Sequence, residues 1–173
     1  MRSFEQCQRL AFEQAVLRRE MPQVRFYNYS QDTYVEGAFA VAGDWREYVL
    51  RVDLDDGFPD SMPSLYVASP HTLFRHDGGT INDLGCSHAF HTRPNGPGGC
   101  VQICHCSAQN WGASRTLVQV LIKGVLWLSA YQAHLETGRS LSEFMRSDGG
   151  PPETRPAHFE NLVPLTAIKY TIC

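Results

Sequence analysis

Lysine is scarce in this sequence, and so are long apolar runs and positive charge. Lys123 and Lys169 are the lysines among 15 Lys and Arg residues, so the chain offers few side-chain amines of its own. A formal net charge of −3 does not favour nucleic-acid binding through a basic field. The sequence lacks a run of the roughly 20 apolar residues that span a bilayer, and it begins without a secretory apolar core. We therefore expect a cytoplasmic protein that binds neither nucleic acid nor membranes.

Several motifs that would identify a class of enzyme or site are also missing. Neither Gly78-Gly79 nor Gly98-Gly99 is followed by the Lys-Ser or Lys-Thr pair of a phosphate-binding loop, and no hydrolase nucleophile elbow is present. A Cys-x2-Cys pair is missing too, so zinc has only irregularly spaced candidate ligands. We predict no cofactor and no metal, and a zinc-stabilised binding domain stays an alternative. Its candidate ligands would be Cys86, His88, His91, Cys100, Cys104 and Cys106.

The sequence does contain enough apolar residues for a core. Hydrophobic residues make up 43% and charged residues 19%, which is typical of a globular chain. We predict one domain over residues 1–146, followed by a linker and docking tail over residues 147–173. In a cytoplasmic protein the six cysteines indicate thiols, ligands or nucleophiles before disulfides.

The order of the predicted elements indicates an α+β fold. Ser3 and Gln6 have the spacing of a capping box at the start of a helix that reaches Arg19. A long apolar helix is predicted from residue 114 or 115 to 136, and a short helix over residues 140–145. Strands grouped apart from helices favour an antiparallel sheet, here a four-stranded meander followed by a long irregular loop. The predicted strands cover residues 24–29, 33–41, 48–54 and 65–68, the loop covers residues 69–99, and one more extended piece is a candidate over residues 101–104.

Two side chains on the predicted helices can be assigned an environment. Cys7 falls on the apolar side of the first helix together with Phe4 and Leu10, so we expect a buried thiol there. His134 lies near the end of the long helix, and we expect it on the surface.

The run GCVQICHC over residues 99–106 crowds three of the six cysteines just before the long helix. A cysteine between a strand and a helix can be an exposed nucleophile. Clustered Cys and His residues can instead be metal ligands. The run alone is compatible with both.

Three short motifs follow one another along the chain, namely Phe58-Pro59 with Pro63, Ile103-Cys104, and Trp111-Gly112-Ala113-Ser114-Arg115-Thr116-Leu117. They resemble the Tyr-Pro-x3-Pro turn, the Ile/Val-Cys active-site pair and the Trp-Ser-Pro-x2-Thr-Ile helix entry of the ubiquitin-conjugating enzyme family. The resemblance covers roughly residues 3–136. Trp127-Leu128-x2-Tyr131 with Thr137-Gly138 is similar to the prokaryotic branch of the family. Members of that branch lie in anti-phage operons, beside a cyclic-oligonucleotide synthase related to cyclic GMP–AMP synthase.

The resemblance implies the ubiquitin-conjugating-enzyme fold and an acyltransferase that forms a thioester on cysteine. Cys104 matches the catalytic cysteine because it follows Ile103 and precedes the tryptophan motif, and Cys100 is the alternative. The family's His-Pro-Asn motif, whose Asn stabilises an oxyanion, is matched by Arg93-Pro94-Asn95. Asn95 is therefore the expected oxyanion residue, with His88 and His91 as rival candidates.

The resemblance also implies a partner and an acceptor. Cys104 would accept the C-terminus of a cyclic GMP–AMP synthase-like nucleotidyltransferase and pass it to a lysine amine. Lys169 and Lys123 are the acceptors available for transfer to the chain itself. The alternative from another class is a catalytically inactive module that keeps the fold and only binds a partner.

Overall fold

A computed structural model describes residues 2–28, 32–42 and 44–145 of the chain. These residues confirm the α+β class. Of the helices in these ranges, none has both the length and the apolar character needed to cross a membrane. The predicted tail over residues 147–173, with Lys169, lies outside the described residues. The helices are α1 (Phe4–Glu20), α2 (Leu117–Thr137) and α3 (Leu141–Met145), and the strands are β1 (Val24–Asn28), β2 (Thr33–Ala40), β3 (Glu47–Leu54), β4 (Ser64–Ser69), β5 (Thr92–Arg93) and β6 (Val101–Ile103).

The strands form one antiparallel sheet in the order β1-β2-β3-β4-β6-β5. The predicted meander corresponds to β1 to β4, but the sheet has two further strands. β6 lies within the extended piece predicted over residues 101–104, whereas β5 lies inside the predicted loop. Strands of two and three residues are too short to show an alternating pattern, which is why the sequence does not reveal them as a pair.

α2 covers one face of the sheet. Alternate residues of β3 and β4 are buried on that face, including Leu50 and Leu65. Gly124 lets the helix approach closely, since a Cβ atom at this position would lie 2.7 Å from Cδ1 of Leu50. The core therefore lies between α2 and the central strands, and the opposite face of the sheet is only partly buried.

The ends of the two long helices follow from local hydrogen bonds. Ser3 and Gln6 exchange side-chain and backbone hydrogen bonds, which confirms the predicted capping box of α1. Thr116 and Gln119 make a second capping box, so α2 begins two or three residues later than predicted. Gly138 ends α2 in the left-handed conformation, with a φ of 74°.

The prediction that Cys7 is buried is wrong, because α1 turns a different side toward the core. Cys7 is exposed, and α1 instead buries Leu10, Glu13 and Leu17. The carboxylate of Glu13 accepts a hydrogen bond of 2.8 Å from the backbone N–H of Leu117. A pattern that counts only apolar residues does not place a charged residue in the core, so it assigns the wrong side of α1 to the core.

The prediction that His134 is on the surface is also wrong. Its ring is 4% exposed. The Nε2 atom accepts a hydrogen bond of 3.2 Å from the backbone N–H of His76, and Nδ1 donates to the carbonyl of Arg139 over 2.6 Å. These partners come from loops on either side of α2, which the sequence pattern of the helix does not show.

Candidate functional site

Cys104 lies where the polypeptide leaves β6, at the edge of the sheet. β5 and β6 pair with Thr92 opposite Ile103 and Arg93 opposite Gln102. The backbone N–H of Cys104 continues the ladder by donating to the carbonyl of His91 over 2.8 Å. Cys104 is half-buried, so its thiol has both a fixed backbone and access to solvent.

A carbonyl oxygen connects the Cys104 thiol to the guanidinium group of Arg93. The thiol lies 3.9 Å from the carbonyl oxygen of Cys106. The same oxygen accepts a hydrogen bond of 2.9 Å from Nη2 of Arg93. Among the described residues, no carboxylate forms an ion pair with Arg93. The thiol therefore shares this oxygen with a cation whose charge no described carboxylate neutralises.

His88 and His91 lie at the tip of a turn that ends beside Cys104. Ser87 and Thr92 close the turn by exchanging backbone hydrogen bonds of 3.2 and 3.0 Å, and the two imidazole rings are 5.8 Å apart. Burial lowers the pKa of His91 below its usual range, and the charge of His88 lowers it further. His91 therefore favours the neutral imidazole, which can accept a proton.

Helices α2 and α3 hold this histidine turn in place. The indole Nε1 of Trp127 donates to the carbonyl of Phe90 over 2.8 Å. The backbone N–H of Ser142, in α3, donates to the carbonyl of Ala89 over 2.9 Å. The predicted short helix over residues 140–145 thus bonds the turn beside the cysteine.

The loop after Cys104 is fixed to the turn between β3 and β4. The ring of His105 binds the carbonyl of Pro63 through Nε2 over 2.8 Å. The indole Nε1 of Trp111 donates to the carbonyl of Pro59 over 3.0 Å. The Phe58–Pro59 peptide bond is cis. Two of the motifs noted in the sequence, the Pro-x3-Pro turn and the tryptophan after the cysteine, are therefore in direct contact.

Asn95 and Cys100 lie together at the other end of the β5–β6 pair. The backbone N–H of Gly96 donates to the carbonyl of Cys100 over 2.9 Å. The side-chain amide of Asn95 donates to the carbonyl of Asn82 over 2.7 Å. Asn95 is four residues beyond His91 along the chain, on the other side of the two-residue strand β5. The structure thus brings His91 to Cys104, and Asn95 to Cys100.

Two further sets of predicted residues can be located. The candidate zinc ligands do not converge, since no group of three or more His, Cys, Asp or Glu side chains in the described ranges could hold a metal ion. Lys123 is half-buried on α2, whereas Lys169 is outside the described residues.

The sequence patterns indicate no role for the side chains of Arg93 and Asn82. Asn82 is a hub for the long loop, because its side chain bonds Leu73, His71 and Gly99. Recognising β5 as the strand that pairs with the cysteine run would have identified Arg93. A strand of two residues has no sequence pattern by which it could be recognised. Asn82 is a polar residue inside an irregular segment, and no sequence pattern distinguishes it from the other polar residues of the loop.

Comparisons of the chain with family models, with curated proteins and with solved structures gave no match. The chemistry of the residues around Cys104 is therefore the basis for assigning a function.

Proposed function

We propose that this chain is a ubiquitin-conjugating-like acyltransferase of the prokaryotic, anti-phage branch, acting in the cytoplasm. Cys104 carries the C-terminus of a partner protein as a thioester and passes it to a lysine amine. The observation that carries this proposal is a half-buried thiol at a strand end, whose backbone N–H bonds the carbonyl of His91 and whose sulfur shares the Cys106 carbonyl with Arg93. Nucleophilic cysteines are commonly partly exposed and close to a cation.

The arrangement of the elements supports the same family. An N-terminal helix, a four-stranded meander, the Phe58-Pro59 turn, a cysteine and a long helix follow one another in the family's order. The hydrogen bond from Trp111 to Pro59 joins two of the motifs that carry the resemblance. The additional β5–β6 pair forms the edge of the sheet on which Cys104 lies.

The proposed reaction has two steps, formation of the thioester on Cys104 and transfer of the acyl group to an amine. The thiolate attacks the activated carbonyl carbon of the donor, a C–S bond forms, and the activating group leaves with its electron pair. A neutral lysine amine then attacks the same carbon, an amide forms, and the C–S bond breaks to return the thiolate. The neutral imidazole of His91 can take the proton that the amine loses. The donor in this proposal is the cyclic GMP–AMP synthase-like partner, and a target protein, Lys123 or Lys169 supplies the amine.

The test is covalent trapping in cells that express the chain with its whole operon, so that any activating enzyme is present. We expect an adduct between the chain and the nucleotidyltransferase that a thiol reductant cleaves. Cys104→Ala should abolish the adduct, and Cys104→Ser should convert it into an oxygen ester that resists reductant. Cys106→Ala, which changes the neighbouring thiol, is the matched control and should leave the adduct intact.

Two outcomes would contradict the proposal in different ways. An adduct that persists in Cys104→Ala but disappears in Cys100→Ala would move the nucleophile to Cys100. Co-purification of the partner with no covalent species, unchanged in Cys104→Ala, would show the binding module in place of the enzyme.

A further inference from the structure

We propose that Arg93 is a catalytic residue that binds the oxyanion formed at Cys104, an inference that rests on the proposed thioester chemistry. Its guanidinium donates through Nη2 to the Cys106 carbonyl, which the Cys104 thiol also approaches. Because both groups bond the same oxygen atom, the distance from Nη2 of Arg93 to the sulfur of Cys104 is at most the sum of their distances to that oxygen. The cation and the thiol therefore share one neighbour, and a carbonyl group bound at the thiol would lie in the same part of the site as the guanidinium.

The sheet register places Arg93 and Cys104 on the same face. Thr92 and Ile103 face each other and are buried. Their neighbours Arg93 and Cys104 therefore point to the opposite, partly exposed face, as diagonal neighbours across the strand pair. A substrate carbonyl bound over Cys104 would lie on the side from which Arg93 approaches.

The guanidinium retains capacity to bind an anion. Its Nε is buried and has no hydrogen-bond partner among the described residues. A guanidinium group has five N–H donors, and a buried donor left unbonded is costly. An oxyanion that forms next to Cys104 would satisfy this donor and pair with the free charge.

Asn95, the residue expected for this role, is engaged elsewhere. Its amide bonds the carbonyl of Asn82, at the end of the strand pair where Cys100 lies. Both steps of thioester transfer pass through a tetrahedral carbon with a negatively charged oxygen, and a fixed donor at that oxygen lowers the barrier. Arg93 occupies the position from which a donor can act on Cys104, and Asn95 does not.

The test compares two reactions of the same thiol in Arg93→Gln. 4-Nitrophenyl acetate acylates Cys104 through a tetrahedral oxyanion and releases 4-nitrophenolate, whereas iodoacetamide alkylates the sulfur without any oxyanion. Peptide mass spectrometry assigns each product to Cys104. We expect acylation to slow by about tenfold or more, while alkylation changes little. Arg93→Lys keeps the charge but loses the planar guanidinium group. Its acylation rate should therefore lie between the rates of the unaltered protein and of Arg93→Gln.

Arg115 provides a matched control. Burial lowers the pKa of His105, and the charges of both Arg93 and Arg115 lower it further, so both cations lie near the cysteine loop. The Nε of Arg115 donates to the carbonyl of Asn110 over 3.1 Å. Arg115→Gln should therefore leave the ratio of acylation to alkylation unchanged. Thermal unfolding of each variant confirms that it is folded before its rates are compared.

Three other outcomes would overturn either the oxyanion role of Arg93 or the assignment of Cys104 as the nucleophile. Equal losses of acylation and alkylation in Arg93→Gln would mean that Arg93 only tunes the thiol or shapes the loop, and would overturn the oxyanion role. Unchanged acylation would overturn it as well. If Cys104 of the unaltered protein is not acylated beyond the background of Cys104→Ala, the nucleophile itself is wrong, and the proposed function fails before Arg93 is tested.

Discussion

At the scale of single residues, His105 shows how a side chain next to a nucleophile can serve the fold. Its ring bonds Pro63 and lies edge-on to Trp111, with ring centres 6.1 Å apart. Burial lowers its pKa, and the Pro63 carbonyl opposes that shift without cancelling it. The folded protein therefore holds His105 neutral in a pH range where the unfolded chain protonates it.

We predict that His105→Gln reduces the loss of stability in acid. Since the folded pKa is lowered, the unfolded state binds more protons as pH falls through about 6.5, and the unaltered protein loses stability there. Gln can donate to Pro63 but does not titrate. Urea unfolding at pH 7.5 and pH 5 should show a smaller difference between the two pH values in the variant. Equal differences in the two proteins would contradict a shifted pKa at His105.

At the scale of elements, the close contact of α2 with β3 depends on Gly124. An added Cβ would lie 2.7 Å from Cδ1 of Leu50 and 3.2 Å from Cδ2 of Leu65. Both leucines are fully buried. Side chains at core packing density cannot move aside freely, so relieving the overlap costs free energy whether the leucines or the helix shift.

We predict that Gly124→Ala destabilises the protein by about 1–2 kcal/mol. Overpacking of a core costs about 1–3 kcal/mol, and the better helix propensity of Ala returns at most about 1 kcal/mol. Chemical denaturation measures the difference. The matched control is Leu50→Val, which removes the overlapping methyl group, so the double variant should be more stable than the sum of the single effects implies. Strict additivity would contradict the overlap as the cause.

The elements differ in how far the sequence predicts them, and the reasons are physical. α1 has a capping box that the sequence shows, so its ends could be predicted to within one residue, whereas the long apolar pattern of α2 predicts the helix but not its first residue. The orientation of α1 could not, because Glu13 is buried against Leu117 and Arg9. In the candidate site, Cys104, His88 and His91 could be named as candidates from the sequence because their side chains can act as nucleophile or base. The pairing that brings Arg93 to the cysteine depends on a two-residue strand, which has no detectable pattern.

At the scale of the whole molecule, α2 holds the long loop before β6 at two points. Trp127 donates to the carbonyl of Phe90, beside the histidine turn. One turn further along, the hydroxyl of Tyr131 donates to the carbonyl of Phe74 over 2.8 Å. The two rings are stacked, with centres 5.6 Å apart, and both are buried. The core helix therefore positions a loop that has little regular structure of its own.

This arrangement predicts that Trp127→Phe loosens the candidate site selectively. The variant keeps an aromatic ring but loses the hydrogen bond to Phe90, which should lower the free energy of unfolding by about 1–3 kcal/mol. Native-state hydrogen exchange should quicken at the amides of Thr92 and Cys104, which bond Ser87 and His91.

Tyr131→Phe is the matched control, because it removes one hydrogen bond from the same ring stack to the same loop. Its faster exchange should appear instead at the amides of Arg75, which follows Phe74 and bonds Gly79, and of Ile81, which bonds Leu73. Thr92 and Cys104 should keep the protection of the unaltered protein. If the two variants quicken exchange at the same amides, α2 acts on the loop as one cooperative unit. Separate responses would mean that the Trp127 bond stabilises the surroundings of Cys104 independently of the rest of the loop.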